Sequence, residues 1–343
     1  KKKRESRGGE KRSWGWAGRE EDLEGLMSLE VKGEKEEGKE KGRDGPEGTL
    51  SGNLIVPFLE FADRRDLREM AYKAWAARGA TGGATDNREI VSETLRLRQE
   101  QAALLGYESF SDFKLETQMA KTPARVRDLL MQVWGPAKAR AAADGAILAQ
   151  MMTKDGLNGP LQAWDWRYYA QRRRKADHDL DEAELKPYLQ LDQMIAAAFD
   201  CAQRLFGLTF QELSLPLHHK DARVWEVRRD GAHIALFVGD YFARSGKRSG
   251  AWCSALQSQR KRPSPRAPIV LNVCNFAKPS NGSPALLSFD DARTLFHEFG
   301  HALHQMLSEV SYSAVSGTSV ARDFVELPSQ LYEHWLEVPE VLQ

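Results

Sequence analysis

The sequence predicts a mainly α-helical chain with a small antiparallel β-sheet placed just before a histidine-bearing helix. Three observations carry that reading. Apolar residues recur at helical spacing over most of residues 63–152 and again over 181–206. A β-rich island then occupies residues 223–276, and Ser288 with Asp291 resembles a capping box opening the next helix. That helix carries His297-Glu298-Phe299-Gly300-His301, an HExxH pattern.

Residues 1–48 differ in kind from the rest. Runs such as Glu34-Lys35-Glu36-Glu37-Gly38-Lys39-Glu40 mix both charge signs with glycine and contain few apolar side chains. Such a segment cannot bury enough surface to offset its ordering entropy, so it is expected to be a charged low-complexity leader, disordered or foreign to the fold. Ordered sequence is expected from about Thr49, beginning with a strand-like apolar run at Leu54–Phe61. Thr122-Pro123 predicts a cap with proline in the first turn, opening a helix through Val126, Leu129, Leu130 and Val133. A long helix is expected from Asp181 to Phe206, with Gly207 just past its end. Arg223–Arg229 and Ala232–Phe237 flank Asp230-Gly231, a two-residue hairpin signal, and Pro268–Phe276 reads as a further strand. A final helix is expected over Val320–Leu336.

Composition narrows the function classes. The chain has 343 residues and a formal net charge of +0, which argues against a broad nucleic-acid or anionic-membrane footprint. Its three cysteines, Cys201, Cys253 and Cys274, form no CxxC pair and read as reduced thiols of a cytoplasmic protein. No apolar run approaches membrane-spanning length, and Lys1–Trp16 lacks the apolar region of a signal peptide. The chain begins at Lys1 rather than methionine, as expected of a piece of something longer.

The chemistry concentrates in the HExxH helix. Histidines four apart on a helix point the same way, about one turn from each other, so both imidazoles can reach one tetrahedral zinc. The intervening Glu298 can then take a proton from metal-activated water, which is the pattern of a zinc metallopeptidase. The alternative is a helix whose histidines are merely packed. Leu295, Phe296, Phe299, Ala302 and Leu303 favour the site, because they would supply a low-dielectric wall. His304 shares the helical face but lies about 10 Å from His297, too far for one zinc to join them. A carboxylate on a second helix is the better third ligand, and spacing alone does not choose among Asp323, Glu326, Glu333 and Glu337.

The strings Phe296-His297-Glu298-Phe299-Gly300-His301-Ala302-Leu303-His304 and Asp323-Phe324-Val325-Glu326-Leu327-Pro328-Ser329-Gln330 resemble the thimet oligopeptidase family, nearest its bacterial peptidyl-dipeptidase and oligopeptidase A branch. Gly250-Ala251-Trp252, Ser316-Gly317-Thr318 and Leu331-Tyr332-Glu333-His334-Trp335 match as well, so the resemblance runs from about residue 49 to the C-terminus. It implies that His297, His301 and Glu326 bind one zinc per chain and that Glu298 is the general base. It also implies a helical zincin-type catalytic region over residues 49–343, acting as a monomer on short peptides. The implied reaction is release of C-terminal dipeptides, with endo-acting cleavage or a catalytically silent peptide-binding fragment as alternatives.

Further residues have weaker claims. Asp323, one turn before Glu326, is a candidate to orient a ligand histidine. His304 reads as packed rather than as a substrate contact. Gly250, Ala251 and Trp252 lie beside a strand where a peptide could add as an extra strand, and Gly317-Thr318 could cover substrate. The family enzymes are longer on both sides, and no residue here matches the tyrosines and histidine that hold their oxyanion. A truncated chain with its zinc ligands in place but weak or no turnover is therefore expected.

Overall fold

The computed structural model describes residues 52–178, 182–244, 246–279 and 283–342; the charged segment 1–48 lies outside the described residues. The chain divides into two compact units, Lys1–Glu100 with Leu129–Leu180, and Gln101–Asp128 with Asp181–Gln343.

Helices α1 (Gly52–Phe61), α2 (Arg65–Ala76), α3 (Arg88–Leu104), α4 (Phe110–Leu115), α5 (Pro123–Lys154) and α6 (Ala163–His178) come first. The expected strand at Leu54–Phe61 is thus a helix. A continuous apolar run carries no period by which strand and buried helix differ, and here tertiary packing decides. Ile55, Phe58, Leu59 and Ala62 are all buried, which is a helical stripe, and they meet Leu67 and Ala71 of α2. In the same unit Arg65 clamps the fully buried Asp165 with two 2.8 Å hydrogen bonds. Arg68 lies 3.9 Å above the Tyr168 ring. The helix opened by Thr122-Pro123 forms as predicted, with Arg125 N–H donating to Thr122 Oγ1 at 3.4 Å. Its Leu129, Leu130 and Val133 are exposed, so the predicted apolar face meets no described element.

The second unit holds the sheet and the histidine helix. The single long helix expected over residues 181–206 is broken. A short α7 (Glu182–Leu185) passes into a 3₁₀ turn at Lys186–Tyr188, and α8 (Leu191–Phe206) follows. Pro187 accounts for the break, since it has no N–H and disfavours the helical conformation in the residue before it. Gly207 closes α8 in the left-handed region, as expected. Five strands follow: β1 (Leu208–Leu213), β2 (Arg223–Arg229), β3 (Ala232–Phe242), β4 (Trp252–Gln257) and β5 (Ile269–Phe276), in spatial order β1-β2-β3-β5-β4. At the β2–β3 turn Asp230 and Gly231 have φ of 50° and 78°, the paired positive values that Asp-Gly supplies at least cost. The sheet is mixed rather than purely antiparallel, because β5 inserts beside β3 in parallel and leaves β4 at the edge.

The connection into β4 is held by side chains. Asn275 donates through Nδ2 to the carbonyls of Arg248 and Gly250 at 2.8 and 2.6 Å. Lys247 Nζ donates to the Phe242 carbonyl and to Asp240 Oδ1 at 2.8 and 3.0 Å. Burial by itself would push the Asp240 carboxyl up, but hydrogen bonds from Arg244, His218 and Lys247 outweigh it and hold that carboxyl well below the usual range. A folded-state pKa below the unfolded value of about 3.9 contributes stability that is complete above that pH. It is lost as pH falls through the folded value. Asp240→Asn is therefore expected to cost about 3–5 kcal/mol near neutrality, by stranding Lys247 and Arg244. Urea unfolding at pH 7 and at pH 3 checks this, and the gap between variant and wild type should narrow at the lower pH.

Around the sheet lie α8, α9 (Phe289–Met306), α10 (Leu327–Glu333) and α11 (Pro339–Leu342). Their shared core centres on Phe237, Phe296, Phe299 and Tyr332. The helix expected over Val320–Leu336 is shorter than its pattern suggested. Residues 322–326 form turns, α10 begins at Leu327, and a 3₁₀ turn at His334–Glu337 follows.

Candidate metal centre

Helix α9 starts where the sequence says it should. Ser288 Oγ accepts the Asp291 N–H at 3.0 Å, and Asp291 Oδ2 accepts the Ser288 N–H at 3.1 Å, closing a capping box. Ala292, Leu295, Phe296, Phe299, Ala302, Leu303 and Met306 then bury one face. This pins the helix rotationally, so that His297 and His301 project together, their ring centroids 4.8 Å apart.

The third group arrives through a close helix crossing. A Cβ added at Gly300 would lie 2.7 Å from Ser329 Cα and 3.0 Å from the Pro328 carbonyl oxygen, so only glycine lets α10 come this near. Tyr332 on α10 donates its hydroxyl to the Ala198 carbonyl of α8 at 2.7 Å, which fixes α10 from its other end. Glu326 immediately precedes α10. Its Oε2 lies 3.3 Å from His297 Nε2 and 3.1 Å from His301 Nε2, and Ser329 Oγ donates to the same oxygen at 3.2 Å. Among the described residues, His297, His301 and Glu326 form the group whose ligand-type atoms all fall within 4.8 Å of one another.

Those donors fit zinc. Two imidazoles and a carboxylate suit a borderline cation, and donors at about 2.0–2.1 Å from a tetrahedral centre stand roughly 3.3–3.4 Å apart, near the two separations of Glu326 from the histidines. Glu298 lies beside them, buried, with its Oε2 meeting no hydrogen-bond partner. Burial pushes its carboxyl up to about 7; His297 opposes that shift and Glu326 adds to it. Burial, reinforced by Glu298, also raises the thiols of Cys253 and Cys274. All three cysteines are unpaired.

The remaining predicted positions divide. His304 stands apart from the cluster, its Nδ1 buried without a partner and its ring edge-on to Phe324 at 6.4 Å. Gly317 packs on α9 at Gln305, where an added Cβ would meet Gln305 Cγ at 2.9 Å, and its N–H donates to Ser308 Oγ; Thr318 beside it is half-buried. Gly250 and Ala251 lead into the edge strand β4, which Trp252 opens. Asp323 does not reach the histidines. It sits in the turn before α10, not on a helical face, and its carboxylate accepts the N–H groups of Met119 and Ala120 at 3.0 and 2.9 Å. The carboxylate that does bond a ligand-type histidine from behind is Glu333, with Oε1 2.6 Å from His297 Nδ1. Sequence reasoning placed Glu333 only among possible third ligands. Its position two turns after Glu326 was the available signal.

The sequence is similar to the dipeptidyl carboxypeptidase of Salmonella typhimurium strain LT2, at 39% identity over 332 residues, covering 94% of this chain and 48% of the relative. It is 38% identical to the dipeptidyl carboxypeptidase of Escherichia coli strain K12 over 330 residues, covering 93% and 47% respectively. The oligopeptidase A of the same organism is 33% identical over 332 residues, with 94% and 49% coverage. The chain thus spans about half the length of the curated relatives it matches. Residues 58–343 match peptidase family M3, a stretch that includes the histidine helix, the close crossing at Gly300 and Glu326, and on that match the chain belongs to peptidase family M3.

Proposed function

We propose that this chain carries the zinc centre of an enzyme that hydrolyses peptide bonds in short peptides, with His297, His301 and Glu326 as ligands and Glu298 as general base. The observation that supports this most is that one carboxylate oxygen of Glu326 stands 3.3 and 3.1 Å from the Nε2 atoms of both histidines. Zinc bound there would polarise the scissile carbonyl and acidify water. Glu298, with an unpaired oxygen beside His297, takes the proton from the attacking water and delivers it to the departing amine. Glu298 is itself buried, which limits water around that transfer. The peptide lies along the edge of β4, reached through Gly250-Ala251-Trp252, where backbone groups pair as an added strand.

Release of dipeptides from the C-terminus is the favoured reaction, because the two dipeptidyl carboxypeptidases match at higher identity than the oligopeptidase A. Three unpaired thiols favour the cytoplasm, and among the described residues no helix is long and apolar enough to cross a membrane. The test is hydrolysis of internally quenched peptides by the chain loaded with one zinc, with and without a chelator. Cleavage that stops with chelator and returns with zinc is expected. Amidating the peptide C-terminus should stop dipeptide release and spare endo-acting cleavage. Zinc binding without any cleavage would reduce this chain to a metal-loaded part of an enzyme.

A further inference from the structure

His297 is held through both ring nitrogens. Its Nε2 faces Glu326, at 3.3 Å, and its Nδ1 faces Glu333 Oε1 at 2.6 Å. Building on the zinc-site reading above, we propose that Glu333 is a positioning residue, which accepts the Nδ1–H of His297 and so fixes the tautomer and ring plane that turn the Nε2 lone pair toward the metal. At 2.6 Å the contact is a hydrogen bond, in which Nδ1 donates to Oε1 when the ring carries its proton on that nitrogen. In the neutral ring that tautomer leaves Nε2 unprotonated, which is the form a metal needs.

The surroundings suit the role. Glu333 closes α10 directly after Tyr332, whose hydroxyl is bonded to Ala198, and its side chain is about one quarter exposed. Its second oxygen, Oε2, lies 3.7 Å from Nε of Arg293, one turn before His297 on α9, so a cation from the same helix steadies the carboxylate. The other carboxylates of this stretch are placed differently. Asp323 is engaged by Met119 and Ala120, and Glu337 is exposed. His301 has no equivalent partner on its other nitrogen, since its Nδ1 is buried and unbonded and only its Nε2 meets a carboxylate, Glu326 at 3.1 Å. Of the two histidines, only His297 is therefore held by carboxylates on both ring nitrogens.

The test is zinc affinity, measured on the full chain by competition with a chromophoric chelator, alongside thermal melting of the metal-free chain. Glu333→Ala should weaken zinc binding about 10- to 100-fold, and Glu333→Gln, which keeps an accepting oxygen, should lose less. Neither variant should lower the metal-free melting temperature, and Glu337→Ala should bind zinc as the wild type does. Unchanged affinity in Glu333→Ala would overturn the role. So would a loss that tracks a lower metal-free melting temperature equally in both variants, which marks a structural contact. A loss as large as that of Glu326→Ala would make Glu333 a ligand instead. A wild-type chain that binds no zinc would overturn the metal-site reading itself.

Discussion

Glu298→Gln is expected to lower kcat/KM for a quenched peptide by about 10²–10⁴ relative to wild type while leaving one zinc bound with unchanged affinity. Glutamine reproduces the shape of the side chain but cannot take a proton, so the variant separates basicity from packing. Glu298 is not among the clustered ligand atoms; it is buried next to them, one oxygen without a partner. Burial raises its carboxyl to about 7 without a metal, and a dication at the neighbouring histidines would favour the ionised form that accepts a proton. Steady-state kinetics with chelator competition decides the matter. A variant that keeps wild-type rates would assign the base elsewhere, and one that loses zinc together with activity would make Glu298 a structural support. Peptide binding that survives in the variant would show that recognition along β4 does not depend on the base.

What the sequence revealed of this fold was whatever is encoded locally. The Ser288–Asp291 cap, the Asp230-Gly231 turn and the end of α8 at Gly207 each follow from a few adjacent residues, and each is present. The HExxH spacing likewise needs only the geometry of one helix. Leu54–Phe61 failed because an unbroken apolar run has no period, and only its packing against α2 reveals the stripe. The long helix before Phe206 failed at Pro187, where a 3₁₀ turn interrupts it.

The candidate site shows the same division more sharply. Spacing could not choose among Asp323, Glu326, Glu333 and Glu337, because all four were read onto one helix that the chain does not form. With residues 322–326 in turns, Asp323 points toward Met119 and Ala120 while Glu326 faces the histidines. Family resemblance singled out Glu326 where residue spacing did not. The contact of Glu333 with His297 depends on how closely α10 passes α9, a tertiary distance that no local pattern carries.

That distance rests on Gly300, and Gly300→Ala should disturb the metal centre more than the fold. The new methyl would sit 2.7 Å from Ser329 Cα, 2.9 Å from Tyr332 Cβ and 3.0 Å from the Pro328 carbonyl oxygen. Two of those three atoms are backbone, so no side chain can simply rotate away, and α10 must retreat toward ordinary contact at about 3.5–4.0 Å. Overpacking of this kind costs about 1–3 kcal/mol, against which alanine recovers up to about 1 kcal/mol of helix propensity over glycine. The net loss of stability is therefore modest. Displacement is the larger effect, because Glu326 stands two residues before Pro328 and Glu333 one after Tyr332, so both carboxylates move with α10. Tyr332 is tethered to Ala198 and Asp323 to Met119 and Ala120, so the displacement falls on the stretch between those tethers, which carries Glu326. Zinc affinity is expected to fall by at least about 10-fold, the loss typical when the supports of a metal ligand are disturbed. Chelator competition and urea unfolding of the metal-free variant read the two effects separately. Wild-type zinc affinity in Gly300→Ala would mean that the approach of α10 at this glycine does not set the position of Glu326.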